Sequence, residues 1–182
     1  MSADLLIEIG TEELPPKTLQ TLSSAFTQGV IDGLARAGFE MGEVQSFVTP
    51  RRLAVLIKAV PHAQPDRDIE RKGPNIKSAY DAEGKPTKAL QGFARSCGVT
   101  PDQLEQQETD KGVWLVFKAN EKGQALAELI EKIINQSLAS LPVPKRMRWG
   151  NGDVEFVRPI HSVVILHGKD VINAEVLGIK SA

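Results

Sequence analysis

Apolar residues recur along this chain in two rhythms, and the switches between them mark its elements. Leu5 to Ile9 (LLIEI) is a short apolar run closed by Gly10, which predicts a buried strand. Pro15 and Pro16 follow, and their missing N–H costs nothing in a first helical turn. Leu19, Leu22, Phe26, Val30 and Leu34 then fall at helical spacing, with Gly38 as the stop. Gly29 and Gly33 inside that helix each weaken it by about 1 kcal/mol relative to alanine, which points to a close packing contact on their face. Val44 to Thr49 and Leu53 to Val60 are β-rich runs separated by Pro50, Arg51 and Arg52, the pattern of a tight hairpin whose apolar rows face the first helix.

From Pro61 to Lys85 the pattern turns polar and is broken by Pro61, Pro65, Gly73, Pro74 and Gly84, so this stretch is expected to be a linker or extended loop. A short helix is expected after Pro86, with Ala89, Leu90, Phe93, Ala94 and Cys97 on one face and Gly98 as its stop. Thr100, Pro101 and Gln103 announce a second, brief one by the capping-box pattern. Asp110, Lys111 and Gly112 turn the chain into the strand Val113 to Ala119. The strongest helical stripe, Leu126, Leu129, Ile130, Ile133, Ile134 and Leu138, ends at Pro142. Ser162 to Leu166 and Val171 to Leu177 then read as a hairpin turning through His167 to Asp170. Strands and helices mixed without regular βαβ alternation predict an α+β fold of largely antiparallel strands with packed helices. The expected subdivision is a strand-helix-hairpin unit over 1–64 and a helix and hairpin unit over 65–182.

Composition narrows the picture. With 41% hydrophobic and 25% charged residues the chain has ordinary globular values, and no apolar run approaches the roughly 20 residues that span a bilayer. MSADLLIEIG lacks the basic and apolar regions of a secretory signal, so the cytoplasm is the expected compartment and no membrane partner is expected. Lys and Arg number 22 against 23 Asp and Glu, so any nucleic-acid contact must come from local clusters rather than a global basic excess. Cys97 is the single cysteine, which excludes an internal disulfide and zinc sites built on several thiolates; its helix face predicts a buried, inert thiol.

Three places carry candidate chemistry. Glu8, Glu12 and Glu13 in EIGTEELPP supply carboxylates for acid/base work or for Mg²⁺, although carboxylates before a helix are also stabilised by its exposed N–H groups. Arg51 and Arg52 at a strand turn suit bidentate recognition of phosphates or of a partner's carboxylates. Lys145, Arg146 and Arg148 form the densest basic cluster, and Trp149 beside them would stack on a base if its ring were exposed. The plainer reading is an inward tryptophan and solvated cations. His62, His161 and His167 share no metal-ligand spacing, and neither GxxxxGK[ST] nor GxGxxG occurs. The residues by themselves describe an α+β domain without a catalytic or metal motif.

EIGTEELPP at 8–16, TPRRLA at 49–54, Asp110-Lys111-Gly112 followed by Trp114, PVPKRMRWG at 142–150 and FVRPIH at 156–161 together resemble the β subunit of the bacterial two-subunit glycyl-tRNA synthetases. The resemblance implies a chain that is the N-terminal portion of a longer subunit and lacks its C-terminal anticodon-binding region. It also implies an assembly of two α and two β subunits that attaches glycine to tRNA(Gly). In that family ATP and Mg²⁺ act at the α subunit, so no cofactor, metal or catalytic residue is expected in this chain, and the chain alone is expected to be inactive. No DNA contact is expected. Arg51 and Arg52 fall in one shared block, and Lys145, Arg146, Arg148 and Trp149 in another, which marks both as sites for tRNA or for the α subunit. A carboxylate-dependent metal enzyme and a purely architectural protein-binding domain are the alternatives.

Overall fold

The computed structural model of the chain describes residues 1–143, 146–148 and 155–182. In chain order its elements are β1 (Ser2–Thr11), α1 (Leu19–Arg36), β2 (Val44–Thr49), β3 (Arg52–Pro61), β4 (Arg67–Asn75), α2 (Ile76–Ala79), α3 (Lys88–Cys97), β5 (Glu105–Thr109), β6 (Gly112–Glu121) and α4 (Leu126–Ala139). The short strands β7 (Met147–Arg148) and β8 (Glu155–Phe156) follow, then β9 (Ile160–His167), β10 (Asp170–Val171), β11 (Glu175–Val176) and β12 (Ile179–Lys180). The pairing is antiparallel throughout, and the α+β reading holds. No described helix is long and apolar enough to cross a membrane.

The chain divides into two compact units, one made of residues 1–65 and 124–182 and the other of 66–123. The boundary near residue 65 is thus joined by a second crossing near 123, and α4 to β12 return to the unit that β1 to β3 begin.

In the first unit the sheet order is β10-β9-β1-β3-β2. Taken along the chain, β1-α1-β2-β3-α4-β9 is a βαββαβ run with β1 and β3 in the middle, the split-βαβ arrangement of ferredoxin-like folds. Strand alternation accounts for it. Leu5, Ile7 and Ile9 of β1, Leu53, Val55 and Ile57 of β3, and Val163 and Ile165 of β9 are buried on one face. That face forms one core with Leu22, Phe26, Val30 and Leu34 of α1 and Ile130, Ile133, Ile134 and Leu138 of α4. The two helices also pack on each other through the glycines. A Cβ at Gly29 would meet Ser137 at 3.0 Å, and one at Gly33 would meet Ile133 Cγ2 at 2.6 Å. The propensity these glycines cost α1 is the condition of its close approach to α4.

The second unit is a sheet of order β4-β6-β5 with α2 and α3. Its buried apolar cluster is Ala79, Leu90 and Leu115, with Tyr80 and Leu104 partly buried against it. Local signals hold it in shape: the Thr87 hydroxyl accepts from Leu90 N at the start of α3, Gly98 takes the left-handed conformation at its end, and Thr100 and Gln103 form the expected capping box.

Three expectations are corrected. The stretch 61–85 is not a loop, because Arg67–Asn75 forms β4; it flanks β6 as an edge strand with polar residues on both faces, so no alternation betrays it. The second half of the C-terminal hairpin shrinks to the two residues of β10, after which β11 pairs with β12. The reason lies in α4: the Glu131 carboxylate accepts from Glu175 N, and Asn135 both accepts from Leu177 N and donates to the Glu175 carbonyl, which draws this backbone off the β9 ladder. Cys97 is partly exposed rather than buried, since α3 turns its buried face through Leu90 and Ala94 and ends at Cys97 itself.

Candidate functional site

At one rim of the five-stranded sheet the end of β1 meets the starts of β3 and β9. The backbone stitches them together: Thr11 N donates to the Arg51 carbonyl at 2.9 Å, Glu12 N to the Pro159 carbonyl at 2.9 Å, and Leu14 N to the Pro50 carbonyl. Three sequence blocks that lie far apart, 8–16, 49–54 and 156–161, therefore share one rim. The β1–β9 register slips between Gly10 and Thr11, which pair with Ser162 and Ile160. His161 is the extra residue of that bulge, and bulges re-aim side chains at sheet ends. A Cβ at Gly10 would stand 2.2 Å from Ser162 Oγ, so a larger residue there would turn that hydroxyl aside.

The side chains of the rim form a charged network. Glu12 is its hub: Oε1 lies 2.7 Å from His161 Nε2 and Oε2 lies 3.5 Å from an Arg51 amine. An ionised carboxylate only accepts, so His161 Nε2 carries the proton of that bond. Glu8 pairs with Arg52 at 3.5 Å. The Arg158 guanidinium donates to the Glu13 carbonyl at 3.1 Å and to Met147 Sδ at 2.9 Å, which joins the β7 segment to the rim. Arg51 and Arg52 remain 67% and 60% exposed, and exposed pairs at such distances contribute about 0 to 1 kcal/mol. Each guanidinium is thus held lightly, with five N–H groups in a fork that fits phosphate or carboxylate.

The basic segment after α4 is less uniform. Arg146 donates to the Ala139 carbonyl at the C-terminal end of α4, the usual place for a cation to satisfy orphaned carbonyls. Arg148 contacts the Glu155 carboxylate through two nitrogens, at 2.9 and 3.3 Å. Lys145 and Trp149 lie outside the described residues. The structure brings Arg51 and Arg52 together with Glu8 and Glu12, so two of the three carboxylates of the metal-enzyme alternative, Glu8 and Glu12, each face a cation. Among the described residues no three His, Cys, Asp or Glu side chains gather as a metal site would require.

Two members of the rim have no signal of their own in the sequence. His161 shows no ligand spacing, and its partner Glu12 lies 149 positions away. Arg158 stands in the block FVRPIH with no role assigned to it from the sequence, and it holds the Glu13 backbone. Only the register of β1 against β9 makes these contacts.

Comparison with known proteins gives this geometry its context. The family described as glycyl-tRNA synthetase beta subunit matches residues 5–182. A glycine–tRNA ligase beta subunit of Marinobacter nauticus is 55% identical over 177 residues, that of Hahella chejuensis 51% over 178, and that of Escherichia coli O1:K1 52% over 176. These alignments cover 97%, 98% and 97% of the chain but 26% of each relative, so the chain spans about a quarter of their length. A family match over residues 5–182, with relatives more than half identical across nearly the whole chain, means that the chain belongs to the glycyl-tRNA synthetase β subunit family.

Proposed function

We propose that this chain is the N-terminal, non-catalytic portion of the β subunit of a glycine–tRNA ligase, and that it contributes tRNA binding and assembly while the α subunit performs the chemistry. On this reading two α and two β subunits work together in the cytoplasm, ATP and Mg²⁺ act on α, and glycine is attached to tRNA(Gly) there. The observation that carries it is the rim. Arg51 and Arg52 stand side by side, mostly exposed and each lightly held by one carboxylate, in the block TPRRLA that resembles the family. A phosphate offers a guanidinium bidentate, charge-assisted bonds, and these exchange readily for an exposed ion pair. Arg146 and Arg148, with Lys145 and Trp149, form a second contact segment, in which Arg146 also anchors the end of α4.

Kinetics of the complete assembly separate this reading from a catalytic one. Arg51→Ala/Arg52→Ala is expected to raise KM for tRNA in aminoacylation by about ten-fold or more, as the loss of charged hydrogen bonds worth about 1.5 to 3 kcal/mol predicts, with glycine-dependent ATP–pyrophosphate exchange unchanged. Loss of the exchange reaction, with the assembly intact, would contradict the proposal. The architectural alternative predicts no change in either rate.

A further inference from the structure

The helices cover one face of the five-stranded sheet, and the other face carries aliphatic rows. Register places Leu166, Leu6 and Leu56 side by side across β9, β1 and β3. The next row is Val164, Glu8, Ala54 and Phe47, extending onto β2. Leu6, Leu56, Val164 and Leu166 are partly exposed and stand outside the buried core, and Phe47 is 51% exposed. A contiguous aliphatic sheet face of this kind marks a docking surface.

We infer that this face is covered in the full-length subunit by the chain that follows residue 182. The inference rests on the family relation and not on the tRNA-binding reading. Two observations favour that occupant. The relatives carry about three quarters of their length beyond the matched part. Moreover, Ala182 N donates to the Val163 carbonyl at 3.0 Å, on the same side of β9 where Ile172 N meets the Ile165 carbonyl. Residue 182 is therefore held at the outer edge of β9, beside this sheet.

The chemistry of the face argues against the other occupants. A βαββαβ sheet that binds RNA does so with aromatic side chains on its central strands, on which bases stack. Here the central strands present Leu6, Ala54 and Leu56, three aliphatic groups without a ring for a base to stack on, and Glu8, which is paired with Arg52. The exposed cations Arg51 and Arg52 lie at the rim instead. Permanent burial within one polypeptide suits an aliphatic surface whose bordering charges are already paired, as Glu8 is with Arg52 and Asp4 with Lys58.

Neighbouring positions of β2 supply an internal control, because Ser46 and Phe47 are both exposed here and point to opposite faces. In the full-length β subunit without α or tRNA, maleimide should label Phe47→Cys about ten-fold or more slowly than Ser46→Cys, both read on their own peptides. Hydroxyl-radical oxidation of native Phe47 and Leu56 in the unsubstituted subunit should report the same protection and serves if a variant fails to fold. Equal rates at the two positions, with unprotected Phe47 and Leu56, would overturn the inference. Protection that appears only when α is added would assign the face to the subunit interface, and protection only with tRNA would assign it to RNA; either also overturns it.

Discussion

Phe26, Leu34, Ile57 and Ile133 belong to one continuous core that draws on five strands and two helices, whereas the unit of residues 66–123 gathers around Ala79, Leu90 and Leu115. The first unit is stabilised by apolar area. The second, a stretch of about 60 residues, is of a size at which a chain buries only about 60% of its surface and is marginal alone. It depends correspondingly more on caps, turns and ladder bonds. Candidate chemistry follows the same division. The rim of Glu8, Glu12, Arg51, Arg52 and His161 stands on the ends of β1, β3 and β9, which the larger core fixes in place. A lightly bonded charged network keeps its geometry only on such a rigid base.

The widest gap between the two units should appear on truncating their cores. Phe26→Ala is expected to cost about 3 to 5 kcal/mol and to speed hydrogen exchange throughout β1, β3 and β9. Leu90→Ala should cost about 2 to 4 kcal/mol, with faster exchange confined to residues 66–123. If Leu90→Ala loosened β1 as much as β6, the two units would share one cooperative transition and the comparison would fail.

Glycine substitutions give a smaller effect of opposite sign in the two units. Gly33→Ala drives a methyl against Ile133, so overpacking of about 1 to 3 kcal/mol outweighs a helix gain of about 1 kcal/mol and chemical denaturation shows a net loss. Gly92→Ala in α3 meets nothing within 4 Å and should stabilise by about 0.5 to 1 kcal/mol. At the opposite end of β1 from the rim the effect is smaller again. Asp4 is held below its ordinary carboxylate pKa by the hydrogen bond from Lys58 and then by that from Ala59 N–H. A lowered folded pKa contributes stability above the unfolded value and loses it as pH falls through the folded value. Denaturation of wild type and Asp4→Asn should therefore differ slightly at neutral pH and converge in acid.

Legibility in the sequence follows the same line. The stripes of α1 and α4 and the apolar runs of β1 and β3 are legible because each buries a continuous row, and periodicity reports burial. β4 (RDIERKGPN) and β5 (EQQET) are not, because edge strands with polar residues on both faces leave no periodic trace. The C-terminal hairpin reads too long because Val171 to Leu177 has strand composition, while Glu131 and Asn135 of α4 capture its backbone, and no local pattern reports such a long-range competitor. At the rim, Arg51 and Arg52 stand out as a pair in a turn. Their partners do not, since Glu12 meets His161 only through the β1–β9 register and its bulge.

The central claim is that the Arg51 and Arg52 guanidiniums contact tRNA phosphates. Its most direct test is the salt dependence of tRNA affinity, measured with wild type and with Arg51→Ala/Arg52→Ala in the complete α and β assembly. Every phosphate that a guanidinium no longer neutralises takes about 0.7 to 0.9 off the slope of log affinity against log salt, so the double variant should bind more weakly and flatten the slope by about 1.5 to 2. An unchanged slope and affinity, with the assembly folded and intact, would contradict the account and leave the rim as a contact between proteins.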